Sequence, residues 1–309
     1  MLPQFDNKVM SSFLLWFDHT LLREGEAFEN TSSWFYSVNS LYNGMYTYGS
    51  PFKQFVNDFS VTGVGEAYPN SQSSTHAQIP TGIYLDGILI GTGTNGFSGI
   101  NYEQGQVYFG TEITTPETRL SGNYSIKDFS VYLSNEPEEK LLFQTKFNLR
   151  SRTTQTYTGL ASNEITYPVI FLRYNGATNQ PFAFGGHDIT KINIRAIVLA
   201  NTQFELDAVC SIFRDQARKY VTLLEPSNMP FNNLGGFKSG IPYNYTGVIK
   251  PIDNEGKFLH IDEVSVSKFN REINLKVDNL NPNVFNGVID FEVTKPRYPH
   301  RSVIGTDLQ

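Results

Sequence analysis

One cysteine stands in 309 residues, at position 210. A single thiol closes no internal disulfide, so the chain reads as built for a reducing compartment rather than as a disulfide scaffold. No stretch approaches the roughly 20 apolar residues that span a bilayer. The opening MLPQFDNK has no basic region, and the apolar patch from Phe13 to Phe17 is too short for a secretory leader. The sequons at Asn30, Asn123 and Asn244 therefore read as chance matches. Charge is scarce: Asp, Glu, Lys and Arg make up 17% of the chain, against roughly a quarter in an ordinary domain. With 24 basic and 30 acidic residues the net charge is −6. That balance argues against duplex DNA or RNA as the main ligand, because phosphate binding needs a basic face.

Catalytic and metal signatures are equally thin. The five histidines show no H-x-x-x-H spacing, and one cysteine makes no C-x-x-C, so no zinc site is expected. Asp18-His19 are neighbours and point apart on a helix, His187-Asp188 lie in a glycine-flanked loop, and His260 and Asp262 share one strand face and can pair. Each is expected to be an ordinary surface ion pair. A literal G-x-G-x-x-G stands at Gly91, Gly93 and Gly96, but a hairpin pattern follows where a dinucleotide site needs a helix. No G-x-S-x-G elbow is present. Cys210 falls on the apolar face of a predicted helix and reads as inert packing. Glu103, Asp128 and Asp262 are candidate glycosidase carboxylates, and Tyr84, Tyr102 and Tyr108 candidate sugar-stacking rings, but the pattern pairs none of them. No enzymatic function, cofactor, metal or membrane association is expected.

What is abundant is aromatic surface. Phe, Tyr and Trp make up 14% of the chain, with 24 Phe and 17 Tyr. Low charge with many Tyr and Phe suits large protein–protein interfaces, and it also suits sugar-binding surfaces. The densest stretch, 34–59, holds Trp34, Phe35, Tyr36, Tyr42, Tyr46, Tyr48, Phe52, Phe55 and Phe59. It reads either as an arm docking on a neighbouring subunit or as a cap on the local core.

Periodicity predicts a β-rich α+β chain. Val9, Met10, Phe13, Leu14, Phe17, Leu21 and Leu22 predict a helix over 8–22, ended by Gly25. Asp86-Gly87 and Gly105 mark two hairpins. A strand or two follow over 118–135, and residues 167–174 and 192–199 read as strands. Thr202 and Glu205 form a capping box, and apolar residues recur at helical spacing from Leu206 to Leu224 before Pro226. One long helix, 203–224, is thus expected on a C-terminal sheet. Residues 226–242 read as a long loop. Strands 257–267, 272–278 and 287–294 alternate wet and dry faces, as antiparallel one-sided sheets do. The acidic SNEPEE near 134–139 divides the chain into 1–134, with the N-terminal helix, aromatic arm and hairpins, and 135–309, an α+β domain with a polar C-terminal tail.

Three phrases carry a resemblance: GINYEQGQVYF, SGNYSIKDFSVYLSNEPEEKLLFQTK and NIRAIVLANTQFELDAVCSIFRDQARKYVTLL. They resemble virion structural proteins of tailed bacteriophages, of the neck, head-to-tail connector and tail-terminator type. The resemblance implies sheets flanked by helices, closing into homo-oligomeric rings through sheet edges and extended arms, with other neck and tail proteins as partners. It implies a place in the virion, assembled in the host cytoplasm. It defines no catalytic or ligand residue. Trp34, Tyr36, Tyr46, Tyr48 and Phe52 are the expected interface anchors. A carbohydrate-binding or host-recognition tail protein, with exposed aromatics around a groove in 80–135, is the alternative.

Overall fold

The computed structural model describes residues 4–52, 54–64, 82–138, 141–142, 149–151, 165–183, 187–230, 242–249, 257–269 and 284–297. The expected strand 272–278, the polar loop 65–80 and the tail beyond Arg297 lie outside them.

The chain opens with helix α1 (Phe5–Glu24), whose Asn7 side chain accepts from the Gln4 amide at 3.1 Å. It stops at Gly25, whose amide donates to the Leu21 carbonyl. A Cβ at Gly25 would stand 2.8 Å from that carbonyl and 2.9 Å from the Ile212 side chain, so only glycine fits this close approach. Every residue from Ser12 to Leu22 is buried. A helix apolar all round needs cover on every side, and α1 has it because it lies between two β units.

The first unit is a sandwich of two four-stranded antiparallel sheets. Its strands are β1 (Phe28–Trp34), β2 (Tyr36–Tyr42), β3 (Met45–Gly49), β4 (Gly82–Leu85), β5 (Ile88–Gly91), β6 (Phe97–Asn101), β7 (Gln106–Phe109) and, after the short helix α2 (Pro116–Arg119), β8 (Leu120–Lys127). One sheet runs β1-β8-β4-β5 and the other β2-β3-β7-β6. Phe35, Tyr48, Ile83, Phe97, Phe109 and Tyr124 meet between them. Both expected hairpins form. Asp86 and Gly87 turn at φ 51° and 81°, the paired left-handed conformation of a tight two-residue hairpin.

The second unit is a six-stranded sheet in the order β14-β15-β16-β13-β12-β9. It holds β9 (Ser130–Leu133), β12 (Val169–Ala183), β13 (His187–Ala200), β14 (Tyr220–Thr222), β15 (Phe258–Lys268) and β16 (Phe285–Arg297), while β10 (Leu149–Ser151) and β11 (Ile165–Tyr167) pair apart from it. Neighbours run antiparallel except β9 and β12, which are parallel. The expected strand region at 118–135 is two strands, β8 and β9, in different units with only Asp128 and Phe129 between them. Ile170, Ile194, Ala196, Ile289, Phe291 and Leu259 line the dry face of the sheet. On it pack α1 and α3 (Gln203–Arg214), with Phe17 stacked on Phe213 at 3.7 Å and Phe13 edge-on to Phe291 at 5.1 Å. The helix expected in the N-terminal division therefore sits in the core of the C-terminal sheet. A short helix, α4 (Tyr245–Ile249), packs against α1.

The long helix expected over 203–224 does not form. Its capping box is present, with Thr202 Oγ1 accepting from the Glu205 amide at 3.1 Å. The helix ends at Arg214. Gln216 caps the Ile212 carbonyl, Arg218 turns left-handed at φ 65°, and Tyr220–Thr222 pair with Phe258–His260 as a strand. Val221 and Leu224 are buried as the pattern asked. They are buried in extended chain, because strand β15 offers backbone partners that a continuing helix would leave unpaired.

Truncating Phe213 to Ala removes the ring between α1 and the sheet. The expected loss is about 3–5 kcal/mol, read as a lower urea midpoint at unchanged slope. A loss below about 1 kcal/mol would deny that this stack joins helix to sheet.

Candidate interaction surface

Two ionisable neighbours on α1, Asp18 and His19, point to different partners. The Lys127 amine, at the end of β8, donates to Asp18 Oδ1 at 2.7 Å, with both side chains at most 6% exposed. His19 Nδ1 meets Asp58 Oδ2 at 2.7 Å, with exposures of 3% and 0%. The surface ion pairs expected for these residues are thus buried ones, since the helix has no wet side to put them on. The other Asp58 oxygen accepts from the Ser60 amide, the Ser60 hydroxyl and the Tyr245 amide. Burial raises the Asp58 carboxyl, but the bonds from His19 and Ser60 outweigh it and hold the group below the usual carboxylate range. The Tyr245 ring lies flat on His19 at 4.5 Å. This cluster fastens α1, the 54–60 segment and the 243–245 segment together. It is closed to solvent, and Ser60 bonds to the aspartate rather than to the imidazole, so it assembles no nucleophile.

The second expected pair, His260 with Asp262, forms on the wet side of the six-stranded sheet. Thr294 Oγ1 also donates to Asp262, at 3.1 Å, and Tyr220 leans on the imidazole at 5.1 Å. Among the described residues no hydroxyl donates to the histidine nitrogen there. Along the same face Arg195 is clasped by Asp290, at 2.5 and 2.9 Å, and by Glu138 at 2.7 Å. Lys191 donates to Glu292 at 2.7 Å. Arg195 and Asp290 border an open depression of about 350 Å³ that Asn193, Glu263 and Glu292 also line. Its charges are largely spent on one another. Among the described residues no three His, Cys, Asp or Glu side chains gather as metal ligands, and no helix is long and apolar enough to cross a membrane.

The other sequence candidates disperse. Cys210 is buried against the sheet, and burial pushes its thiol up. The Gly91, Gly93, Gly96 motif is the turn between β5 and β6, followed by a strand. Glu103, Asp128 and Asp262 lie on a turn, a two-residue connection and a strand of separate elements. Tyr102 and Tyr108 are buried, the latter under the Tyr42 ring at 4.9 Å, while Tyr84 stays half-exposed.

Of the five expected anchors, Trp34 shows the most surface, at 44%. Tyr36, Tyr46 and Phe52 are half-buried. Tyr48 is turned into the sandwich core, where its hydroxyl accepts from the Ile113 amide at 2.6 Å. The aromatic stretch runs from the end of β1 through β2 and β3 to Gly49 and then continues outside the strands, with Phe35 and Phe55 inside the sandwich core.

The feature that sequence reasoning missed is a bare sheet edge. Strand β9 covers β12 only from Val169 to Leu172. From Arg173 to Ala183 the outer edge of β12 has no neighbouring strand among the described residues. Residues 177–181, Ala-Thr-Asn-Gln-Pro, are all exposed and uncharged. The signal was the polar run NGATNQP between two apolar strands, which read as the end of a strand rather than as its continuation. At the opposite side of the sheet, β14 pairs with β15 only over Phe258–His260. Glu263 to Lys268 likewise lack an outer strand among the described residues.

No protein-family model matches the chain, and no curated protein matches it.

The depressed Asp58 carboxyl sets a pH dependence. Its contribution is complete above the ordinary carboxylate range and drains away as pH falls through it. Wild-type stability is expected to decline between about pH 5 and pH 2. Asp58→Asn should lose about 1–3 kcal/mol at neutral pH, because buried donors on His19, Ser60 and Tyr245 lose carboxylate acceptors, and should show a shallower acid decline. Parallel pH–stability curves for the two proteins would contradict this assignment.

Proposed function

We propose that this chain is a structural protein of a tailed-phage virion that assembles with copies of itself into a ring at the head-to-tail interface. The observation that carries the assembly reading is the uncharged edge of β12, which no strand covers among the described residues. An exposed strand edge is a row of unpaired amides and carbonyls that templates pairing, and natural edges are commonly blunted by charge, proline or bulges. Here the stretch 177–180 carries none of these, and the blunting is confined to its ends, at Gly176 and Pro181.

The partner edge is the free part of β15. In the order β12, β13, β16, β15 every neighbour reverses direction, so β12 and β15 run opposite ways. A second copy set down in the same orientation therefore brings its β15 antiparallel to the first copy's β12. Such a contact is head-to-tail, and head-to-tail contacts close into a ring when the rotation between copies closes. The small uncharged residues Val264, Ser265, Val266 and Ser267 match Ala177 to Gln180. The two free stretches lie at opposite ends of the sheet, so successive copies meet with a stagger, as tilted strands in closed sheets do. The placement at a virion neck, collar or tail terminator rests on the sequence resemblance. The low charge and abundant aromatics agree with it.

Purified protein is expected to elute as an oligomer by size exclusion with light scattering. The double substitution Thr178→Lys with Gln180→Lys puts charge on the edge and should give a folded monomer with an unchanged circular dichroism spectrum. A wild-type monomer at high concentration, or an oligomer indifferent to those lysines, would remove the assembly reading.

A further inference from the structure

We infer that the outer face of the β1-β8-β4-β5 sheet is a binding platform for a neutral polysaccharide. The register sets one row across all four strands. Trp34 on β1 stands opposite Ser121 on β8, Ser121 opposite Tyr84 on β4, and Tyr84 opposite Leu89 on β5. The facing direction follows from the neighbours. Leu120, Ile83, Ile90 and Tyr124 point into the sandwich core, so the alternate positions Ser121, Tyr84, Leu89 and Trp34 point out.

The row is built from two rings separated by a small hydroxyl. Trp34 is 44% and Leu89 57% exposed, and Tyr84 is half-exposed. One strand, β8, lies between the two rings, so two inter-strand steps set a spacing of about 10 Å. That is the reach of alternate rings in an extended pyranose chain. Beside the row, Ser32 stands opposite Asn123, both reaching the surface. Among the described residues, Asp86 and Arg119, at the β4 and β8 end of the row, neutralise each other through two hydrogen bonds of 2.6 and 2.8 Å. Lys127, at the far end of the face, is buried on Asp18.

This chemistry selects its occupant. Sugar rings offer C–H faces that stack on aromatic π-systems, and hydroxyls that bond to serine and asparagine, with no charge to compensate. A charged glycan or nucleic acid would find no counter-charge here. A protein partner would be expected to meet a broader apolar centre than Trp34, Tyr84 and Leu89 set in a single row among hydroxyls and amides. The platform is independent of the assembly reading, because the β12 edge belongs to the other unit.

The test uses intrinsic fluorescence and a neutral glycan array. The chain has two tryptophans, and Trp16 is buried, so ligand stacking should change the emission of Trp34 alone. Wild-type protein is expected to retain neutral glycans on the array. Titrating a soluble neutral β-glucan oligosaccharide is expected to shift the Trp34 emission. Trp34→Ala and Tyr84→Ala should each weaken binding about tenfold or more, while Tyr220→Ala, an exposed ring on the other unit, should leave it unchanged. Retention of no neutral glycan by the wild type overturns the inference. So does binding that survives both substitutions. A change of oligomeric state on Trp34→Ala, with glycan binding intact, would assign the face to a subunit contact instead.

Discussion

The whole molecule depends on covering one helix from all sides. From Ser12 to Leu22 α1 has no wet face, so its apolar residues pack on the six-stranded sheet and its two ionisable residues must find partners in a low-dielectric space. Lys127 and Asp58 are those partners. Neither pair is expected to add much stability over a well-packed apolar substitute. What they provide is placement: Lys127 belongs to the sandwich, Asp58 to the connection beside it, and both are drawn to a fixed point on the helix. The β13-β16 pair and the Phe17–Phe213 stack then set the other side of α1. The orientation of the outer platform and of the bare edge follows from this arrangement.

Much of this was legible because local rules were obeyed. The Thr202–Glu205 cap, the Asp86-Gly87 turn and the alternation of Ile289, Phe291 and Val293 all appear where the pattern puts them. The failures have physical causes. Val221 and Leu224 carry on the helical spacing of Phe213, yet they are buried in extended chain because β15 supplies backbone partners there. Asp18 and His19 looked like surface groups because their partners lie 109 and 39 residues away. Their position inside an apolar run was the available sign of burial. Among the aromatics, Trp34 and Tyr48 read alike in the sequence, yet one lies out on a sheet and the other inside. Facing is a property of the sandwich, and one-residue differences in register reverse it.

The two exposed features are segregated. The sheet edge lies in the unit that carries α3, and the aromatic row lies on the sandwich. A protein that joins copies through one unit keeps the other free to meet something else, and multiple copies in a ring would repeat that second face around the axis. Weak single contacts then combine, since linked sites act at high effective concentration.

The connection between the units has a mechanical meaning. Only Asp128 and Phe129 separate the last sandwich strand from β9, and the Phe129 ring is sunk in the main core while the Asp128 amide is bonded to Ala27 at 2.9 Å. There is no slack to take up. Tension on the sandwich passes straight into β9, which lies parallel to β12, and is resisted there by several backbone bonds loaded together in shear rather than opened one after another. A pull from outside would therefore be delivered to the six-stranded sheet before either unit gave way.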